Sequence, residues 1–152
     1  LEAFQPDVVV SQATAWDVHD RRIPEHGFPE WTYVGDPAFD EYVASEYRAA
    51  TDLLTSTGAR MVWMLAAHQD RPLAPMTDPA RIDRLNEILA ATMQDVPNVS
   101  IADYPAWLGP VGSAVDRRRR VDGLHLTEAG MQEIVPWLTT EVLRLDASRT
   151  SS

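Results

Sequence analysis

Three short runs of apolar, largely β-branched residues punctuate the chain: Asp7 to Ser11 (DVVVS), Arg60 to Ala66 (RMVWMLA) and Val99 to Ala102 (VSIA). None alternates cleanly between apolar and polar, so each reads as a strand buried on both faces, as in a parallel sheet. Between them the apolar period lengthens to that of a helix. A helix is predicted from Asp36, whose carboxylate caps free amides, with Pro37 at the first helical position, where its missing N–H costs nothing. Phe39, Tyr42, Val43, Tyr47, Ala50, Leu53 and Leu54 recur along one face, and Gly58 supplies the stop.

A second helix repeats the Asp-Pro opening at Asp78-Pro79 and turns Ile82, Leu85, Ile88, Leu89 and Met93 inward. A third is predicted from about Thr127 to Leu145, with Met131, Ile134, Val135, Leu138, Val142 and Leu145 on its apolar side and Pro136 as a point of weakness or kinking. Strands joined by helices imply an α/β fold, and right-handed crossovers make it a three-layer α/β/α sandwich around a parallel sheet. Residues 1–146 form one domain in this reading, and the small polar residues 147–152 form a disordered tail.

The composition narrows the chemistry. With 23 acidic against 13 basic residues, the net charge of -10 disfavours phosphate backbones, and no nucleic-acid partner is expected despite the run Arg117 to Arg120. There is no cysteine, and every basic residue is arginine, which removes thiolate nucleophiles, Schiff-base lysines and a P-loop lysine. No apolar run approaches the ~20 residues of a membrane helix. The first residue is Leu1, and a strand-like run follows within a few residues, so the chain is expected to be cut from a longer protein.

In open parallel sheets, ligands bind beyond the carboxyl ends of the strands. Three loops lie there. The first runs from Gln12 through Thr14-Ala15-Trp16-Asp17 and a long insertion to about Gly35, and the second is Ala67-His68-Gln69-Asp70. The third passes through the four arginines to Val121-Asp122-Gly123-Leu124-His125-Leu126-Thr127-Glu128-Ala129-Gly130. Asp122 precedes His125 by three residues across Gly123, a spacing that lets the carboxylate accept the imidazole Nδ1 hydrogen and leaves Nε2 as a general base.

The segment DGLHLTEAG resembles the last block of the SGNH (GDSL-like) hydrolase superfamily, in which an Asp-x-x-His pair completes a triad with a serine on the loop after the first strand. The family's Gly-x-Asn-Asp block follows its third strand, and Thr14-Ala15-Trp16-Asp17 stands at the matching place after DVVVS. AWDVHDRR, GDPAFDEY and ARMVWM look more specifically like SGNH domains of actinobacterial type, some of which are fused to acyltransferase 3 family membrane proteins. The resemblance implies a flavodoxin-like sandwich with strand order 2-1-3-4-5, truncated at its N-terminus, with strands three, four and five present here and contiguous. It also implies a serine esterase or O-acyltransferase acting on a small-molecule or glycan acyl ester, without cofactor or metal, in an extracytoplasmic setting.

The chain departs from the family in lacking any Gly-Asp-Ser block, so the serine would lie upstream of Leu1. Thr14 replaces the family glycine and Trp16 the asparagine that donates to the oxyanion. The implied roles are Asp122 and His125 as catalytic pair, Thr14, Ala15, Trp16 and Asp17 as substrate or oxyanion loop, and His68 at the cleft.

Other readings stand beside these. Asp17 can instead close a turn, Trp16 can wall a pocket, and Ser11 is a weak substitute nucleophile. His19, His26 and His68 with Asp20 and Asp70 match no closed metal site. The four arginines read as a solvated turn or an anion-attracting patch, and Trp31, Tyr33 and Trp107 fit core, lid or sugar-stacking surface equally. The alternative in function is a non-catalytic SGNH-like domain that binds a glycan or protein partner. A flavodoxin-like nucleotide-binding domain is disfavoured by the lack of a Gly-rich phosphate loop.

Overall fold

The computed structural model describes residues 4–71 and 74–147, with side chains to 144; the predicted tail from 148 and the inward role of Leu145 lie outside the described residues. Three strands form the sheet: β1 (Val8–Gln12), β4 (Arg60–Met64) and β5 (Val99–Ala102). Their order is β1-β4-β5 and both pairings are parallel, with Val8 opposite Arg60 and Met61 opposite Val99. The first and second strands are thus offset by one or two residues from their predicted bounds.

Helix α1 (Pro37–Thr55) begins as its sequence dictates, with Asp36 Oδ1 accepting from the Ala38 amide at 3.0 Å and Pro37 in the first turn. Helix α2 (Pro79–Met93) repeats the device with Asp78. All five predicted inward residues of α2 are buried, each stabilising by about 1.5–3 kcal/mol relative to exposure. Alternate residues of β4 divide the core. Met61 and Trp63 pack with Phe39, Leu85 and Leu89 under α1 and α2, whereas Val62 and Met64 face Tyr104, Leu108, Ile134 and Leu138.

That second face is covered by α3 (Tyr104–Leu108) and α5 (Glu128–Ala147), so helices flank the sheet on both sides. Helix α5 is continuous through Pro136. Three positions correct the predicted stripes. Leu53 of α1 is 64% exposed, and on α5 Met131 and Val135 are exposed while Ile134, Leu138 and Val142 pack inward. Leu53 and Val135 fall outside the strip that packs on the three-strand sheet, and Met131 borders an open cleft.

Regular structure arises where loops were expected. The long insertion after β1 folds into a one-turn 3-10 helix, Ala15–Val18, and an antiparallel hairpin of β2 (Arg21–Ile23) and β3 (Phe28–Thr32). Between the two hairpin strands Gly27 adopts φ +89°, a left-handed turn. The stretch after β5 holds α3, capped by Asp103, and α4 (Ala114–Arg119), capped by Ser113.

Among the described residues β1 pairs with β4 alone. The Arg60 amide donates to Asp7 O and the Ala13 amide to Met64 O, so the odd-numbered residues of β1 turn their backbone groups toward β4. Those of Val8, Val10 and Gln12 therefore face away, an apolar edge ready to pair. The chain is expected to self-associate with rising concentration in sedimentation, and Val10→Lys to suppress it. A chain that stays monomeric throughout would contradict this use of the edge. None of the described helices is long and apolar enough to cross a membrane.

Candidate active site

The turn between α4 and α5 is built by its glycines. Gly123 has φ +73°, and a Cβ there would lie 2.9 Å from the Asp70 Cβ, so glycine alone permits both the turn and the close approach of the loop after β4. Gly130 sits in the first turns of α5, where a Cβ would fall 2.6 Å from the Arg119 carbonyl. That carbonyl also accepts from the Thr127 amide at 2.7 Å, so α5 starts pressed against the end of α4.

On this turn Asp122 and His125 meet as their spacing predicts. His125 Nδ1 lies 2.8 Å from Asp122 Oδ2, while Oδ1 accepts from the backbone amides of His125 at 2.8 Å and Leu124 at 3.0 Å. The hydrogen bond from the His125 ring, followed by those two amides, holds the Asp122 carboxyl far below its ordinary value of 3.8. The imidazole is therefore oriented by a carboxylate that is ionised throughout the neutral range, and its Nε2 is left outward on a ring that is 77% exposed.

A group with a lower pKa folded than unfolded binds more protons when unfolded as acid is added. Its stabilising contribution is thus complete above the unfolded value and is lost as pH falls below 3.8. The difference in urea midpoint between the chain and its Asp122→Asn variant is expected to persist down to about pH 5 and to shrink in stronger acid. A difference that vanished already near pH 5 would point to another group.

His125 opens on a cleft of about 680 Å³. Its walls are Gln12 to Trp16 from the loop after β1, Ala67 and Gln69 from the loop after β4, and Tyr104, Arg120, Leu124, Leu126 and Met131. The volume suits a small organic ligand, held between apolar side chains and the polar Gln12, Thr14, Gln69 and His125. Three of the four predicted loop residues, Thr14, Ala15 and Trp16, thus stand across the cleft from His125. Asp17 does not face it: its Oδ2 accepts from the Thr14 amide at 2.8 Å and from Thr14 Oγ1 at 3.3 Å, closing the 3-10 turn. Trp16 is 63% exposed and stacks on His19 with centroids 5.5 Å apart, a platform at the rim.

His68 does not wall this cleft. It lies in an adjoining groove that shares Ala67 and Arg120, and its Nε2 is 2.8 Å from Asp83 Oδ1. Ser11 sits within β1 opposite Trp63 and is absent from the cleft wall. The histidines and aspartates weighed as a metal cluster go separate ways: His26 packs on Tyr42, and Asp20 pairs with Arg81 at 2.5 Å. Among the described residues no three metal-ligating side chains converge.

The four arginines are not a solvated turn. Arg118 and Arg119 both bind Glu133, with Arg119 also over the Trp107 ring at 4.2 Å. Arg120 is 2% exposed and pairs with Asp116, itself 1% exposed, at 2.7 Å, while its Nη1 donates to the His68 carbonyl at 3.0 Å. Arg117 stays exposed. The other predicted aromatics divide: Trp107 stacks on Tyr104 and Trp137 under α5, Tyr33 lies beneath the Arg81 guanidinium, and Trp31 is exposed.

Residues given no role by the sequence also shape the site. Gln69 walls the cleft with a buried Oε1 that finds no partner among the described residues. Arg71 reaches Asp122 twice, from Nε to the carbonyl at 2.8 Å and from Nη2 to Oδ2 at 3.1 Å. The contact spans 51 residues, and no local pattern announces it.

Fold and site together define an α/β domain that carries an Asp–His pair at the carboxyl end of a parallel sheet. No protein-family model matches the chain, and no curated protein matches it.

Proposed function

We propose that the chain is the dyad-bearing part of an SGNH-type domain of flavodoxin-like architecture that hydrolyses or transfers an acyl ester. The observation that carries this reading is the 2.8 Å bond from His125 Nδ1 to Asp122 Oδ2 at the mouth of a cleft whose opposite wall is the loop after β1. That geometry suits an imidazole that takes a proton at Nε2 and gains stability from its carboxylate as it does so. The parallel order β1-β4-β5 agrees with the third, fourth and fifth strands of such a sheet, and the open edge of β1 supports a preceding strand that bears the nucleophile.

In this mechanism a serine hydroxyl supplied from upstream of Leu1 attacks the ester carbonyl as His125 Nε2 removes its proton. The tetrahedral intermediate collapses, and the leaving alkoxide takes that proton back. Water then attacks the acyl-serine through the same base and releases the acid; a sugar hydroxyl in its place makes the reaction an O-acyl transfer. Trp16 stands where the family has a donating asparagine, so oxyanion stabilisation would fall chiefly to groups outside this loop. The exposed Trp16 platform beside His19 favours a second reading, a non-catalytic glycan- or partner-binding domain.

Covalent labelling of the full-length gene product by a fluorophosphonate separates the two. The enzyme reading expects labelling of an upstream serine that His125→Ala abolishes, and no turnover of a short-chain aryl ester by these 152 residues alone. Labelling that ignores His125→Ala, or ester turnover by the isolated chain, would overturn the assignment. Absence of any labelled serine would favour the binder.

A further inference from the structure

Asp122 has every acceptor position of its carboxylate in use. Oδ1 takes the Leu124 and His125 amides; Oδ2 takes the His125 ring and the Arg71 guanidinium. Imidazole and guanidinium thus share one oxygen, and Arg71 holds the same residue a second time at its carbonyl. Grip on both main chain and side chain fixes where the carboxylate points. It also places a fixed positive charge beside the group that must stabilise an imidazolium.

The other charges around the pair are already committed or turned away. From the loop after β4, the Asp70 carboxylate lies on the far side beside Gly112 and Arg117, and His68 is bound to Asp83. From α4, Arg120 is neutralised by Asp116. Asp17, in the loop after β1, is held by Thr14, and Glu128 in the first turn of α5 is exposed. Arg71 is the cation in direct contact with the dyad's carboxylate, and its side chain is 40% exposed.

We propose that Arg71 is a positioning residue that locks the Asp122 carboxylate and, through the oxygen it shares with the ring, lowers the proton affinity of His125. The inference rests on the dyad reading above. Its consequence is a base that stays neutral, and hence able to accept a proton, further into mild acid than a bare Asp–His pair.

The test is the titration of the His125 ring followed by NMR in this chain, which needs neither the serine nor turnover. Arg71→Gln is expected to raise the midpoint by about half a pH unit at low salt, the size suited to a partly exposed charge. Arg71→Lys, which keeps the charge with fewer donors, is expected to return most of it, and added salt to shrink the difference. Asp122→Asn is expected to lower the midpoint.

An unchanged midpoint in Arg71→Gln, or a rise in Arg71→Lys as large as in Arg71→Gln, overturns the role given to Arg71. If Asp122→Asn also leaves the ring unmoved, the dyad itself fails; if Asp122→Asn acts and Arg71→Gln is silent, the dyad stands and the inference about Arg71 falls.

Discussion

Replacing Arg120 with alanine is expected to cost about 3–5 kcal/mol of folding stability, seen as a large fall in the urea midpoint. The side chain is 2% exposed and its partner Asp116 is 1% exposed, so removal strands a carboxylate out of reach of water. The His68 carbonyl loses its donor in the same step. Asp116 also binds the Gly112 amide at 2.8 Å, so this ion pair ties the start of α4 to its end and to the loop after β4. The double variant Arg120→Met with Asp116→Asn leaves no buried charge and is expected to recover part of the loss. A single-variant cost under about 1 kcal/mol would mean that the pair is solvated.

On the proposed reading, Asp122→Asn in a chain extended to include the serine is expected to lower the rate of ester cleavage by about 10⁴-fold with little change in fold. An asparagine amide can offer a hydrogen to Nδ1, which drives the ring proton to Nε2 and removes the base from the side that faces the cleft. It also removes the negative charge that would stabilise the imidazolium, while Arg71 remains beside it with nothing to neutralise it. The decisive measurement is kcat against an acyl ester, with circular dichroism as the control for folding. A loss of less than about tenfold would show that His125 does not depend on this carboxylate and would sink the dyad as catalytic machinery.

Much of the frame was legible in the sequence because it is set by local physics. Asp36-Pro37 and Asp78-Pro79 start helices through a side chain and a ring that act within one turn, and the five inward residues of α2 follow from a period that the helix itself imposes. The β2-β3 hairpin was hidden because its strands are short and Pro29 interrupts the longer one, while α3 and α4 are too short to show a period. Met131 and Val135 were misplaced because a periodic stripe does not reveal how wide a surface awaits it.

The site divides along the same line. Asp122 and His125 were legible because three residues separate them; Arg71, Gln69 and the burial of Arg120 were not, because each depends on loops brought together from distant parts of the chain.

That difference in reach also orders events in time. The Asp122–His125 bond closes a loop of three residues, whereas the Arg71 contacts must close one of 51, at a larger loss of chain entropy. During refolding the turn can nucleate in fluctuating form before the sheet exists, with the guanidinium arriving only once β4 is seated.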